Sequence, residues 1–234
     1  MRRLGIALTA LAMLPAPAAS GAHGVSPVQP GAPVLVRHAG GASSSCTLNF
    51  IFETTSPARK YIGTAGHCAE KVGDIARTVT PDRELGKVVY REYQSAPGVD
   101  FALIEIDATR HAEIVPGVRS FGGPTGATSH TETQAGDLLG ITGYGIVFGS
   151  FAQTRDRYGV LVSDNANEYA ADMLAVNGDS GAPVIHLATG KGLGIVGSWG
   201  FPFTTDVGPT LSRILTKVRN NGFPTLQLVT APRH

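Results

Sequence analysis

Turn-forming residues are spread through the whole 234-residue chain, which contains thirty glycines and fifteen prolines. Glycine adopts backbone angles that are closed to other residues. Proline has no backbone N–H, so it cannot donate a hydrogen bond inside a helix or a sheet. The apolar runs between them are short, rich in β-branched or aromatic residues and bounded by Gly, Pro or Asp, as is typical of strands. The pattern therefore predicts many short strands and turns rather than a helical bundle.

The predicted strands fall into two groups, each suited to a small antiparallel barrel with its own core. A stretch rich in Gly, Thr and Pro at residues 115–137 separates the groups, as expected of a crossing linker. The strands are predicted at residues 47–52, 60–64, 87–91 and 101–106, and then at 138–144, 158–162, 182–187 and 193–199. One helix is predicted at residues 213–221, because apolar residues recur on one face and Gly222 can close it.

Residues 1–22 have the pattern of a secretory signal peptide. Two arginines open the chain, residues 4–14 form an uncharged apolar run, and small residues follow as far as Ala22. The run is too short to span a bilayer comfortably, and cleavage after Ser20 or after Ala22 fits equally well. We therefore predict a secreted protein, with residues 23–33 as a flexible lead-in or short pro-segment.

The overall charge argues against nucleic acid as a partner. The formal net charge is +1, and no basic run is interleaved with aromatic residues.

Hydrophobic residues make up 42% of the chain, and at this length they can bury a large core in one domain or two small ones.

Cys46 and Cys68 are the only cysteines in the chain. An even number in an exported protein predicts one disulfide, although two buried free thiols remain the alternative. In the chain-entropy model, closing this loop stabilises the fold by roughly 3 kcal/mol. The remaining histidines show no ligand spacing, so the sequence predicts no metal site.

Two glycine-containing segments carry the residues of a nucleophilic site. In Gly178-Asp179-Ser180-Gly181-Ala182-Pro183, the glycines suit a tight turn that exposes the Ser180 hydroxyl. The same turn can aim the N–H groups of Gly178 and Ser180 at one point, as an oxyanion hole requires. A serine hydroxyl needs an adjacent base, and His67 in Thr64-Ala65-Gly66-His67-Cys68 is the candidate. Asp100, at the start of a predicted strand, is the candidate that orients the imidazole.

These segments, in the order His, Asp, Ser, resemble the trypsin/chymotrypsin family of serine peptidases, and the secreted bacterial members in particular. Ser198-Trp199-Gly200, eighteen residues after Ser180, resembles the strand with which that family pairs its substrate. The family also has a disulfide beside its catalytic histidine. The resemblance covers roughly residues 34–220.

The resemblance implies an all-β fold of two antiparallel six-stranded Greek-key barrels, with the active site in the cleft between them and a short helix near the C-terminus. The implied division is an N-terminal barrel at residues 34–122, a linker at 123–137, a C-terminal barrel with its helix at 138–222 and a tail at 223–234.

The implied activity is that of a secreted serine endopeptidase with a catalytic triad of His67, Asp100 and Ser180 and an acyl-enzyme intermediate. No cofactor is implied, and the expected partner is a peptide or protein substrate of a monomeric enzyme without stable membrane association. The resemblance also assigns substrate binding to Ser198, Trp199 and Gly200, and support of Asp100 to the Ser198 hydroxyl. A catalytically silent binding module and an esterase with the same triad are the alternatives.

The family places the residue six before the catalytic serine at the base of the specificity pocket, and here that residue is Leu174. An apolar pocket predicts cleavage after apolar residues, because a cation buried there has no counter-charge. Val176 stands where many relatives have a cysteine, so the loop can run differently and bring Asp172 to the pocket instead. Animal members activate by pairing a new terminal amine with the Asp before the serine; no such terminus is found here, which leaves Asp179 without an identified partner.

Overall fold

The computed structural model describes residues 26–93, 99–145, 155–200 and 205–234, without the side chains of residues 199–200 and 205–206. The predicted signal peptide lies outside this described part of the chain. Two antiparallel sheets and one α-helix account for most of it, which confirms the predicted all-β class. None of the helices within these ranges is long and apolar enough to cross a membrane.

The first sheet contains eight strands in the order β15-β3-β4-β7-β6-β5-β1-β2. Seven of them are consecutive in the chain, and the eighth comes from its C-terminal end. Their bounds are β1 Pro33–Arg37, β2 Ser43–Thr47, β3 Ile51–Thr55, β4 Ala58–Thr64, β5 Ile75–Thr78, β6 Arg83–Glu92, β7 Phe101–Ile106 and β15 Gln227–Leu228.

The second sheet contains seven strands in the order β12-β11-β8-β9-β10-β14-β13. Their bounds are β8 Leu138–Thr142, β9 Asp156–Asp164, β10 Glu168–Asp172, β11 Pro183–His186, β12 Lys191–Ile195, β13 Ser198–Gly200 and β14 Thr205–Pro209. The two sheets thus have eight and seven described strands, where the resemblance implied six each.

Strand β7 shows why five of its six residues are apolar. Successive strand residues face opposite sides of a sheet, and both sides of β7 are covered. Ala102 and Ile104 belong to the core inside the first sheet, whereas Phe101 and Leu103 belong to a second core that includes residues of the helix. This double burial fixes the strand and, with it, the position of the residue before it, Asp100.

The α-helix, α1, runs from Leu211 to Asn220 and begins two residues before the predicted start. The Thr210 hydroxyl caps it by accepting from the Arg213 N–H, a type of cap worth about 1 kcal/mol. Ile214, Leu215 and Val218 are buried on one face, as predicted. That face packs in a core shared by both sheets, rather than on the second sheet alone.

The segments before β1 and after α1 are more closely packed than the sequence predicts. From Ser26 onward the expected flexible lead-in is held in place: Val28 is fully buried and forms a bridge with Ile114. After α1, the expected tail supplies β15, in which Gln227 pairs with Glu53 of β3. Apolar side chains at these positions pack into the two cores that the first sheet borders. Such contacts between distant parts of the chain cannot be read from a short stretch of sequence.

Candidate active site

His67 and Asp100 are brought together by the pairing of β4 with β7. Thr64 lies opposite Ala102 in this pair, so the short 3₁₀ turn Gly66–Cys68 after β4 faces the residue before β7. The His67 ring nitrogen Nδ1 lies 2.7 Å from Asp100 Oδ2, and the His67 backbone N–H donates to Asp100 Oδ1 at 2.8 Å. One carboxylate therefore holds both the ring and the backbone of His67, and leaves Nε2 available for proton transfer.

The turn that carries His67 is fastened on both sides. Cys68 forms a disulfide with Cys46 near the end of β2, and Arg91 Nε donates to the carbonyls of Gly66 and Ala69 at 3.0 and 2.7 Å. Cys46, His67 and Cys68 have ligand-type atoms within 4.8 Å of one another, but the two sulfurs are joined covalently and offer no thiolate to a metal.

The Ser180 turn adopts the backbone that its glycines permit. Gly178 has φ of 101° and Gly181 has φ of 87°, in the left-handed region that favours glycine. A Cβ at Gly181 would lie 2.6 Å from the backbone nitrogen of Ala65, two residues before His67. Only glycine therefore allows this turn, which belongs to the second sheet, to approach the His67 turn of the first.

Thr47 joins the two turns, and the sequence analysis did not single it out. This fully buried residue donates its backbone N–H to the Ser180 carbonyl at 3.0 Å and its hydroxyl to the Gly178 carbonyl at 2.8 Å. Its hydroxyl also accepts the Tyr144 N–H at 2.9 Å. Its place directly after Cys46 is the only sequence signal that could have pointed to it.

Asp179, whose partner the sequence left open, pairs with Arg157 of β9. The Asp179 side chain is fully buried, and both of its oxygens accept from the Arg157 guanidinium, with Nη2 lying 2.7 Å from Oδ1. The backbone N–H groups of Gly145 and Val176 complete its hydrogen bonds, at 2.8 and 2.9 Å. A buried charge held by a bidentate arginine and two amides needs no terminal amine.

The turns that carry Ser180 and His67 approach each other, but the two side chains are not hydrogen-bonded. Among the contacts of the described residues, no hydrogen bond joins Ser180 Oγ to His67, although His67 does bond to Asp100. Such bonds are often long in free enzymes and shorten when substrate binds. The exposed Tyr93 ring lies edge-on to His67, with centroids 5.9 Å apart, and is another residue beside the site that the sequence analysis missed.

Three of the expected substrate-binding residues form one short strand. Ser198, Trp199 and Gly200 form β13, which pairs with β14. The side chain of Trp199 is not described; Ser198 is exposed, and its hydroxyl makes no hydrogen bond to Asp100 among the described contacts. The implied support of Asp100 by Ser198 is therefore not found.

The two candidates for the base of the specificity pocket lie close in the chain. Leu174 is 39% exposed and its carbonyl accepts from Arg157 at 3.2 Å. Asp172 is exposed at the end of β10, where it pairs with Val160.

Solved bacterial serine proteases share this fold. Protease A of Thermobifida fusca has a TM-score of 0.60 and 19% identity over 87% of this chain and 98% of its own. The chymotrypsin of Cellulomonas bogoriensis has a TM-score of 0.56 and 18% identity over 86% and 98%. A Nocardiopsis protease gives 0.56 and 18% over the same shares. No protein-family model matches the chain, and none of the curated proteins matches it. The chain therefore has the chymotrypsin-like serine protease fold.

Proposed function

We propose that the protein is a secreted serine endopeptidase that uses His67, Asp100 and Ser180. The observation that carries this proposal is the direct hydrogen bond between His67 Nδ1 and Asp100 at 2.7 Å, opposite a glycine-built turn that presents Ser180. A motif alone could arise by chance; the bond between His67 and Asp100, and the close approach of Gly181 to the Ala65 backbone, support the proposal that the three motifs act together.

The geometry suits acyl transfer to a serine. Ser180 Oγ attacks the scissile carbonyl while His67 Nε2 takes its proton, and Asp100 holds the imidazole tautomer and stabilises the imidazolium. The N–H groups of Gly178 and Ser180 receive the developing oxyanion, each such donor being worth roughly 3 kcal/mol. His67 then returns the proton to the leaving amine, and water, activated by the same imidazole, hydrolyses the acyl-enzyme and regenerates Ser180.

Secretion is supported by two independent features. The first 22 residues have the charge and hydropathy pattern of a signal peptide, and the Cys46–Cys68 disulfide is of a kind that persists in oxidising compartments.

Labelling with a fluorophosphonate tests the proposal most directly. The purified exported protein should form one covalent adduct at Ser180, and preheated protein should form none. Absence of the adduct in folded protein would favour a catalytically silent binding module. A labelled protein that hydrolyses simple esters but no member of a peptide library would be an esterase instead.

Cleavage after apolar residues is the expected specificity. Leu174 stands at the pocket position, and an apolar side chain gains from burial there, although one methylene discriminates by only roughly 1–3 kcal/mol. A peptide panel varied at the residue before the cut should therefore give higher kcat/KM for Leu, Met, Phe or Ala than for Arg or Lys. A tenfold advantage for Arg and Lys that disappears in Asp172→Ala would show that Asp172 forms the pocket.

Thr47→Val should lower kcat by about 10- to 100-fold with little change in KM. Valine keeps the shape of Thr47 but leaves the Gly178 carbonyl and the Tyr144 N–H without their buried partner, and small displacements at a reacting centre are costly. Steady-state kinetics of the variant measures the effect. Thr47→Ser retains the hydroxyl and should recover most of the activity; equal losses in both variants would mean that Thr47 acts only through packing.

A further inference from the structure

A groove of about 290 Å³ is lined by residues from both halves of the chain. Ala32, Pro33 and Thr80 line it from the first sheet and the loops next to it. Tyr144 and Arg155 line it from the second half of the chain, and Arg119 from the segment that connects the halves.

The groove concentrates positive charge. Arg155 stacks on the Tyr144 ring, with its guanidinium carbon 3.8 Å from the ring centroid. Arg119 is close enough for the charge of Arg155 to affect its pKa. Burial, and then the neighbouring Arg155, lowers the pKa of Arg119, while the nearby Asp156 opposes that shift. Among the described residues that line the groove there is no carboxylate.

Arg119 forms no direct ion pair in the described part of the chain, although Asp156 lies near enough to affect its pKa. Its backbone N–H donates to the Pro30 carbonyl at 3.2 Å, whereas its guanidinium makes no hydrogen bond or ion pair with any described residue. A half-buried arginine next to a second arginine is unfavourable unless an anion neutralises it. The feature therefore favours an anionic ligand that is not part of the fold.

Thr47 connects this groove to the turn that carries Ser180. Pro33, in the groove wall, lies opposite Thr47 in the β1–β2 pair, and the Tyr144 N–H donates to the Thr47 hydroxyl. Thr47 in turn holds the Ser180 and Gly178 carbonyls. The groove and the turn that carries Ser180 therefore share Thr47 as a common neighbour.

We propose that the groove binds carboxylate side chains in an acidic segment of the polypeptide substrate. Guanidinium groups bind carboxylates through paired, charge-assisted hydrogen bonds, and such a ligand would relieve the repulsion between Arg119 and Arg155. The identification of this segment as part of a substrate rests on the proposed function. The binding of an acidic segment to the groove does not depend on that function.

The test measures binding in the Ser180→Ala protein, so its outcome does not depend on catalysis. Two fluorescent hexapeptides are compared by anisotropy, one with three glutamates and one with glutamines at the same positions. The glutamate peptide should bind about tenfold more tightly, as expected for one charge-assisted pair, and this preference should vanish on Arg119→Gln. Arg59→Gln is the matched control, because it removes the same charge from an exposed pair with Glu105 on the first sheet.

Equal binding of the two peptides would overturn the proposal, and so would equal weakening by Arg119→Gln and Arg59→Gln, which would indicate a general field effect. Binding of inorganic sulfate without any preference for the glutamate peptide would also overturn it, since the groove would then be a small-anion site. If Arg119→Gln does not fold, Arg119→Lys and Arg155→Gln replace it, and both should reduce the preference. The same peptide pair, extended by a cleavable sequence and given to the wild type, should show the preference in kcat/KM.

Discussion

Ser180→Ala should lower kcat about 10⁶-fold while the protein keeps its fold. Alanine removes the attacking oxygen and leaves Gly178, Gly181 and the Asp179 pair in place. The measurement is kcat on the best peptide from the panel, together with a thermal unfolding curve to show that the structure is retained. Residual activity above a few per cent of the wild type would mean that another group is the nucleophile.

His67→Ala should cost about as much as Ser180→Ala, and the double variant little more than either. The two residues transfer one proton between them, so the loss of either abolishes the same step. If the two losses multiplied, the residues would be acting independently and the proposed mechanism would fail.

Arg157→Met should destabilise the protein by about 3–5 kcal/mol. The methionine leaves Asp179 charged and fully buried with only two backbone amides, and removal of one partner from a buried pair carries the desolvation cost of the other. The turn between Val176 and Ser180 should loosen as well, because Asp179 is its anchor. Urea unfolding measures the stability, and fluorophosphonate titration measures the fraction of protein with a competent Ser180.

Arg59→Met provides the matched control for this prediction. Its side chain is 48% exposed and pairs with Glu105 on the surface, so its loss should change stability by about 1 kcal/mol or less. Similar losses for Arg157→Met and Arg59→Met would show that the buried pair contributes no more than an exposed one.

The residues that carry the proposed chemistry were accessible from sequence, whereas those that position them were not. His67 and Ser180 sit in short motifs whose glycines are required by close backbone contacts, that of Gly66 with Glu92 and that of Gly181 with Ala65. Arg157 lies alone in an ordinary strand, and nothing local distinguishes it from a surface arginine. Its role depends on a partner 22 residues away in the chain that only the folded second sheet brings near.

The strands show the same division. β7 was predicted with its correct bounds because both of its faces are buried, which makes five of its six residues apolar. β10, with the sequence Glu-Tyr-Ala-Ala-Asp, was missed because it lacks β-branched residues and is held by its neighbours β9 and β14. Local propensity is a weak guide where pairing partners decide the structure.

The two-residue strand β15 also determines how much of the first sheet's edge is open to another chain. It pairs with β3 and is therefore the edge strand on that side of the first sheet. An open edge presents unpaired N–H and C=O groups to which another chain can add. Because Gln227 and Leu228 pair with β3, the strand at this edge is only two residues long, and a very short edge strand is one way in which proteins limit the addition of another chain.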